Sequence, residues 1–122
     1  MSYATTAELI NITGSSLQTS ILQALLDEAD RQIKSRLASA EVSAPDADDK
    51  LKSACLALGK ASILDRMRMD GSHVSDPQYS WSAAELNDAI KHLRDEAWEF
   101  VDSYILTSQT QRYKWNIRKV NA

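Results

Sequence analysis

Four cations, Arg112, Lys114, Arg118 and Lys119, fall within the last fourteen residues without a single acid, and they interleave with Tyr113, Trp115, Ile117 and Val120. Such a mixture suits recognition rather than bond making. The charges steer and orient a partner, while Trp and Tyr supply the large rigid contacts typical of interface hot spots. Other reactive side chains are scattered. Asp46-Ala47-Asp48-Asp49 has the look of a calcium loop, but Leu51 stands where such a loop needs Gly and Ala57 where it needs Glu. Capping of a helix accounts for those acids. His92 lies four residues from both Asp88 and Glu96, a spacing that fits a solvated pair better than a ligand set, and His73 is a lone loop histidine. Cys55 sits in the most apolar stretch of the chain, where burial raises a thiol pKa and leaves it inert. Gly14-Ser15-Ser16 and Gly71-Ser72-His73 are too short for phosphate cradles or nucleophile elbows. The sequence predicts no catalytic residue, no cofactor and no metal site.

The partner-binding residues expected from this pattern are therefore Arg112, Tyr113, Lys114, Trp115, Ile117, Arg118, Lys119 and Val120 in the tail. His73, Tyr79 and Trp81 join them from the segment Gly71 to Trp81, a connection longer than compact helix packing requires. Three readings of the tail stand side by side. It folds back on its own domain; or it is an arm that docks on another protein; or its cations meet phosphates while Trp115 or Tyr113 stacks on bases. The arm is favoured, because the formal charge of −3 divides into +4 for the tail and −7 for the first 108 residues, and an acidic body opposes approach to DNA.

The elements that position these residues follow from composition and period. With 43% hydrophobic residues, three Gly and two Pro in 122, the chain fits one globular domain of a few long helices. Thr5-Thr6-Ala7-Glu8 matches a capping box and opens a short helix from Thr6 to about Asn11. Ser15 or Ser16 then caps a second helix to about Ala38, with Leu22, Leu25, Leu26, Ala29, Ile33 and Leu37 on its packing face and Asp27, Asp30, Arg31 and Lys34 on its wet one. A third helix begins at Asp46 and ends at Gly71; Ala54 to Leu64 makes it apolar nearly all round, so it is the central one. Ser82-Ala83-Ala84-Glu85 opens a fourth helix to about Thr107, with Leu86, Ile90, Leu93, Ala97, Phe100 and Tyr104 as its buried stripe. After Thr107 the apolar residues alternate, which predicts an extended arm. The expectation is a mainly α fold: a small bundle of about four helices, one short and three long, in residues 1–108, with a basic aromatic C-terminal arm in 109–122. The start Met-Ser-Tyr-Ala shows no basic region before an apolar run, the single cysteine allows no intrachain disulfide, and no stretch is apolar enough to span a membrane; an intracellular protein is expected.

Tyr3 to Leu9, the skeleton Leu25, Leu26 and Ala29 within Leu22 to Ile33, and Leu51, Ala54, Leu58, Ala61 and Leu64 to Arg66, in the order short helix, long helix, loop, long helix, resemble the head-to-tail connector (adaptor, or head-completion) proteins of tailed bacteriophages and prophages. The resemblance covers roughly the first seventy residues. It implies a virion structural protein at the head-tail interface, present in the host cytoplasm during assembly. Such a subunit forms an oligomeric ring, commonly of twelve copies, beneath the portal protein, extends the DNA channel and docks the next tail-completion (stopper) protein. DNA passes through without sequence-specific binding, and the family brings no catalytic residues. By position and composition its portal-binding arm corresponds to Arg112 to Val120, and the loop from Ser72 to Trp81 corresponds to a contact with a neighbouring subunit or ring. The alternative from the residues alone is a regulatory helical binding module whose basic tail contacts nucleic acid or an acidic protein.

Overall fold

The computed structural model describes residues 2–15, 17–70 and 83–121, with side chains described in 2–15, 17–66 and 84–110. Four helices follow in order: α1 (Thr6–Thr13), α2 (Thr19–Ser39), α3 (Asp49–Asp70) and α4 (Ala83–Asn121). The mainly α class, with one short helix and three long ones, is as the sequence predicts.

Each boundary has a local cause. At the start of α1 the Thr5 hydroxyl accepts from the Glu8 N–H at 3.1 Å while the Glu8 carboxylate accepts from the Thr5 N–H at 3.0 Å, so the predicted capping box is formed. The helix runs to Thr13 rather than Asn11. It stops where Gly14 takes φ 64°, a conformation that costs glycine nothing, and donates its N–H to the Ile10 carbonyl. Ser15 does not cap α2, and Ser16 lies outside the described residues. Ser15 Oγ accepts instead from the Leu17 N–H in the turn, and Gln18 holds the cap position without a side-chain hydrogen bond. The far end of α2 closes in a Schellman arrangement: the Val42 N–H donates to Leu37 O at 2.9 Å and the Glu41 N–H to Ala38 O at 3.0 Å. Glu41 occupies the left-handed position that usually belongs to glycine, at φ 57°.

Helix α3 begins at Asp49, not Asp46. The Asp48 carboxylate accepts from the Leu51 N–H at 3.1 Å, so one acid of the run caps and the next stands in the first turn. Leu51, Ala54, Cys55, Ala57, Leu58, Ala61, Ile63 and Leu64 are all buried, which makes α3 the central helix as expected. Gly59 is where neighbours come closest: a Cβ there would meet Leu26 Cδ2 and Leu9 Cδ1 at 3.3 Å, so the missing side chain lets α1 and α2 pack on α3 together.

Helix α4 lies antiparallel to α3, since Lys50 near the start of α3 donates to Ser103 Oγ at 3.1 Å while Asp65 pairs with Arg94 at 3.8 Å. The predicted end near Thr107 is passed: the backbone stays helical to Asn121. No Gly or Pro interrupts Ala83 to Asn121, and Tyr113, Ile117 and Val120 satisfy helical spacing as well as they satisfy alternation. At ~1.5 Å per residue, 39 residues span ~58 Å, against ~33 Å for the 22 of α3. Since Lys50 already faces Ser103, α4 continues well beyond the first turn of its antiparallel neighbour. The predicted loop Gly71 to Trp81 and the cap residue Ser82 lie outside the described residues.

Candidate interaction surfaces

Helix α4 is the element that carries the predicted tail, and its inner face fixes how it is held. Leu86, Ile90, Ala97 and Val101 are buried, with Leu93, Trp98, Phe100, Tyr104 and Ile105 partly covered. Trp98, Val101 and Ile105 are the members that the predicted stripe lacks. They belong to a contact face broader than a single line of residues, because α2 as well as α3 touches this helix. The outer face carries exposed Asp88, His92, Asp95, Glu99 and Asp102, followed by Leu106, which is 65% exposed.

The tail residues Arg112, Tyr113, Lys114, Trp115, Ile117, Arg118, Lys119 and Val120 all fall within the helical backbone of α4, and their side chains lie outside the described residues. His73, Tyr79 and Trp81 lie outside the described residues altogether. The helix therefore joins the eight tail positions in one continuous element rooted in the bundle.

Arg36, in the last turn of α2, donates through Nε and Nη2 to the two oxygens of Asp102 on α4 at 2.9 and 3.0 Å, and its guanidinium lies 5.0 Å from the Trp98 ring centre. A planar fork facing a carboxylate and an indole at once is the geometry that only arginine offers. Beside it runs an open groove lined by Arg31, Gln32, Ser35 and Ser39 of α2 with Trp98 as its apolar wall. Sixty-six residues separate Arg36 from Asp102, so no spacing rule pairs them.

The residues weighed for chemistry are accounted for structurally. Cys55 is buried, its thiol faces the Leu26 carbonyl at 3.9 Å, and burial pushes its pKa up to about 11. His92 is well exposed, 3.9 Å from Glu96. No group of three metal-ligating side chains occurs among the described residues. Glu8 is held below the usual carboxylate range, first by Lys52 at 3.1 Å and then by the Thr5 N–H.

Asp30 departs from its predicted place on the wet face of α2: it is buried, 8% exposed. The cause is the N-terminal segment, which lies along that side of the helix. Ser2 Oγ donates to Asp27 at 2.8 Å, Tyr3 is buried with its hydroxyl donating to the Pro45 carbonyl at 3.0 Å, and Lys34 spans from the Tyr3 ring, 5.8 Å away, to Asp30 at 3.0 Å. Burial, aided by the nearby Asp30 charge, raises the Tyr3 pKa to about 12. The segment is thus a strap that covers the α2–α3 seam.

No family model, curated protein sequence or solved structure matches this chain.

Proposed function

We propose that the chain is a structural, non-enzymatic head-to-tail connector subunit of a tailed bacteriophage or prophage, assembling as a ring beneath the portal and extending the DNA channel toward the next tail component. The observation that carries this reading is the order of elements, a short capped helix, two long helices around an apolar centre and a longer last helix. The same order underlies the resemblance of the first seventy residues to connector proteins. Helix α4 adds physical support: it is rooted in the bundle by Leu86, Ile90, Ala97 and Val101 and runs past the start of α3 into a segment with four cations and no acid. In this reading that segment is the portal-binding arm, with Tyr113, Trp115 and Ile117 as apolar anchors and the cations setting orientation against an acidic portal surface. Burying those anchors, at ~25 cal/mol per Å² of apolar surface, offsets the entropy lost when they become ordered on the partner.

Among the described residues, no helix is long and apolar enough to cross a membrane. Binding of the full chain to the isolated portal of the same particle tests the reading. The full chain binds and the chain ending at Ser108 does not, while both keep the same helical bundle by circular dichroism. Equal binding by the two forms would remove the arm from the account.

A further inference from the structure

Through the bundle α4 buries one side and wets the other. Leu86, Ile90, Ala97 and Val101 are buried, while Asp88, Asp95, Glu99 and Asp102 are exposed along the opposite line. Leu106, 65% exposed and seven residues after Glu99, continues the line of the acids. The helix is by then level with the start of α3, since Lys50 already bonds to Ser103.

From Leu106 onward the apolar residues change sides. The backbone stays helical to Asn121. Tyr113, Ile117 and Val120 follow Leu106 by 7, 11 and 14 residues, so at ~100° per residue the four share an arc of ~60° whose centre lies ~160° from the buried line. A continuous helix cannot turn that stripe onto its own bundle, which lies on the other side. In the same register Lys114 and Arg112 stand about a quarter turn to either side of the stripe, uncharged Gln109, Thr110, Asn116 and Asn121 hold the positions between, and Trp115 stands across from it.

Recurrence at i, i+4 and i+7, as in Tyr113, Ile117 and Val120, is the anchor pattern of a helix seated in an apolar groove. Charge decides whose groove. A second copy would bring together four cations from each chain and no acid between Gln111 and Asn121. A bilayer surface favours aromatic residues at the border of the apolar face, whereas Trp115 has the register position farthest from it. A protein groove with acidic rims meets both the stripe and the cations beside it.

We infer that the end of α4 binds as a helix, with Leu106, Tyr113, Ile117 and Val120 seated in an apolar groove of a partner protein whose rims carry acids opposite Arg112 and Lys114. The inference rests on the connector reading for the partner's identity, which is then the portal, and it narrows the anchors of the arm: Trp115 is not among them.

Surface plasmon resonance of the full chain and its variants on the isolated portal, at low and moderate salt, tests it. Tyr113→Ala and Ile117→Ala should each weaken binding by about tenfold or more, whereas Trp115→Ala should change it by less than about threefold, although Trp is the residue type that most often dominates an interface. Arg112→Gln with Lys114→Gln should slow association and flatten its salt dependence. Alanine keeps helix propensity high at every substituted anchor, and circular dichroism of each variant confirms that the bundle is folded. Loss of binding in Trp115→Ala with Tyr113→Ala and Ile117→Ala unaffected would overturn the inference and leave the connector reading standing. Failure of the full chain to bind the portal would overturn both. Dimers in ultracentrifugation that Ile117→Ala dissolves, or binding to vesicles of anionic lipid that it abolishes, would assign the stripe to a second copy or to a membrane and overturn the inference as well.

Discussion

Arg36 and Asp102 are joined by two parallel hydrogen bonds of 2.9 and 3.0 Å, and the same guanidinium lies over Trp98, so one side chain from the end of α2 grips α4 at two positions four residues apart. Helix α2 otherwise touches α4 little compared with α3. The grip thus ties the end of α2 to α4. Both partners are about half exposed, which limits the strength of the pair. A double-mutant cycle with Arg36→Met and Asp102→Asn should give a coupling of about 0.5–1 kcal/mol, falling with added salt. Arg36→Lys should lose most of it, because an ammonium cannot hold both oxygens and face the indole together. Urea unfolding of the four chains measures it.

Gly59 is confined by Leu9 and Leu26, both fully buried, at 3.3 Å from where a Cβ would stand. Gly59→Val should destabilise the protein by about 2–3 kcal/mol, through overpacking at the meeting of α1, α2 and α3. Gly59→Ala should fall within about 1 kcal/mol of the native chain, as the gain in helix propensity offsets a shift of the leucine tips by a few tenths of an ångström. Thermal and urea melts distinguish the two.

Glu41 holds a left-handed conformation at the close of α2, with the two Schellman hydrogen bonds already made by the backbone. Glu41→Gly should therefore raise stability by about 0.5–1 kcal/mol: relief of left-handed strain exceeds the added freedom of the unfolded chain. A lower melting temperature would show that the Glu41 side chain contributes more than its backbone costs.

Tyr3 and Cys55 are both acids whose folded pKa values, about 12 and about 11, stand above ordinary values of 10.0 and 9.0. The folded state thus holds these protons more tightly than the unfolded one. Their contribution to stability is complete below about pH 9 and is lost as pH rises through the folded values. Stability should accordingly fall between about pH 9 and 12, with one tyrosine absorbing at 295 nm only at the top of that range. Cys55 should react with a thiol reagent only as the protein unfolds. Glu8 has the opposite sign: its depressed pKa contributes stability above the unfolded value of about 4.5 that is lost as pH falls through the folded one.

The sequence made the bundle legible because the strongest signals were local. The Thr5–Glu8 box, the three- and four-residue recurrence from Leu22 to Leu37 and the apolar centre around Cys55 each state their own structure. Signals that depended on distant partners were not legible. The burial of Asp30 comes from Tyr3 folding across α2, and the Arg36–Asp102 pair from a crossing that no period encodes. The end of α4 failed for a different reason: from Tyr113 to Val120, eight residues cannot separate a period of two from one of 3.6 when charges and apolar residues are both frequent.

The connector reading is tested most directly by cryo-electron microscopy of tailed particles made by the source of this chain, reconstructed at the portal vertex. The account predicts a ring of this chain directly beneath the portal, α4 directed toward it and Arg112 to Val120 in contact with portal subunits. Intact, infectious particles whose portal vertex contains no copy of this chain would contradict it.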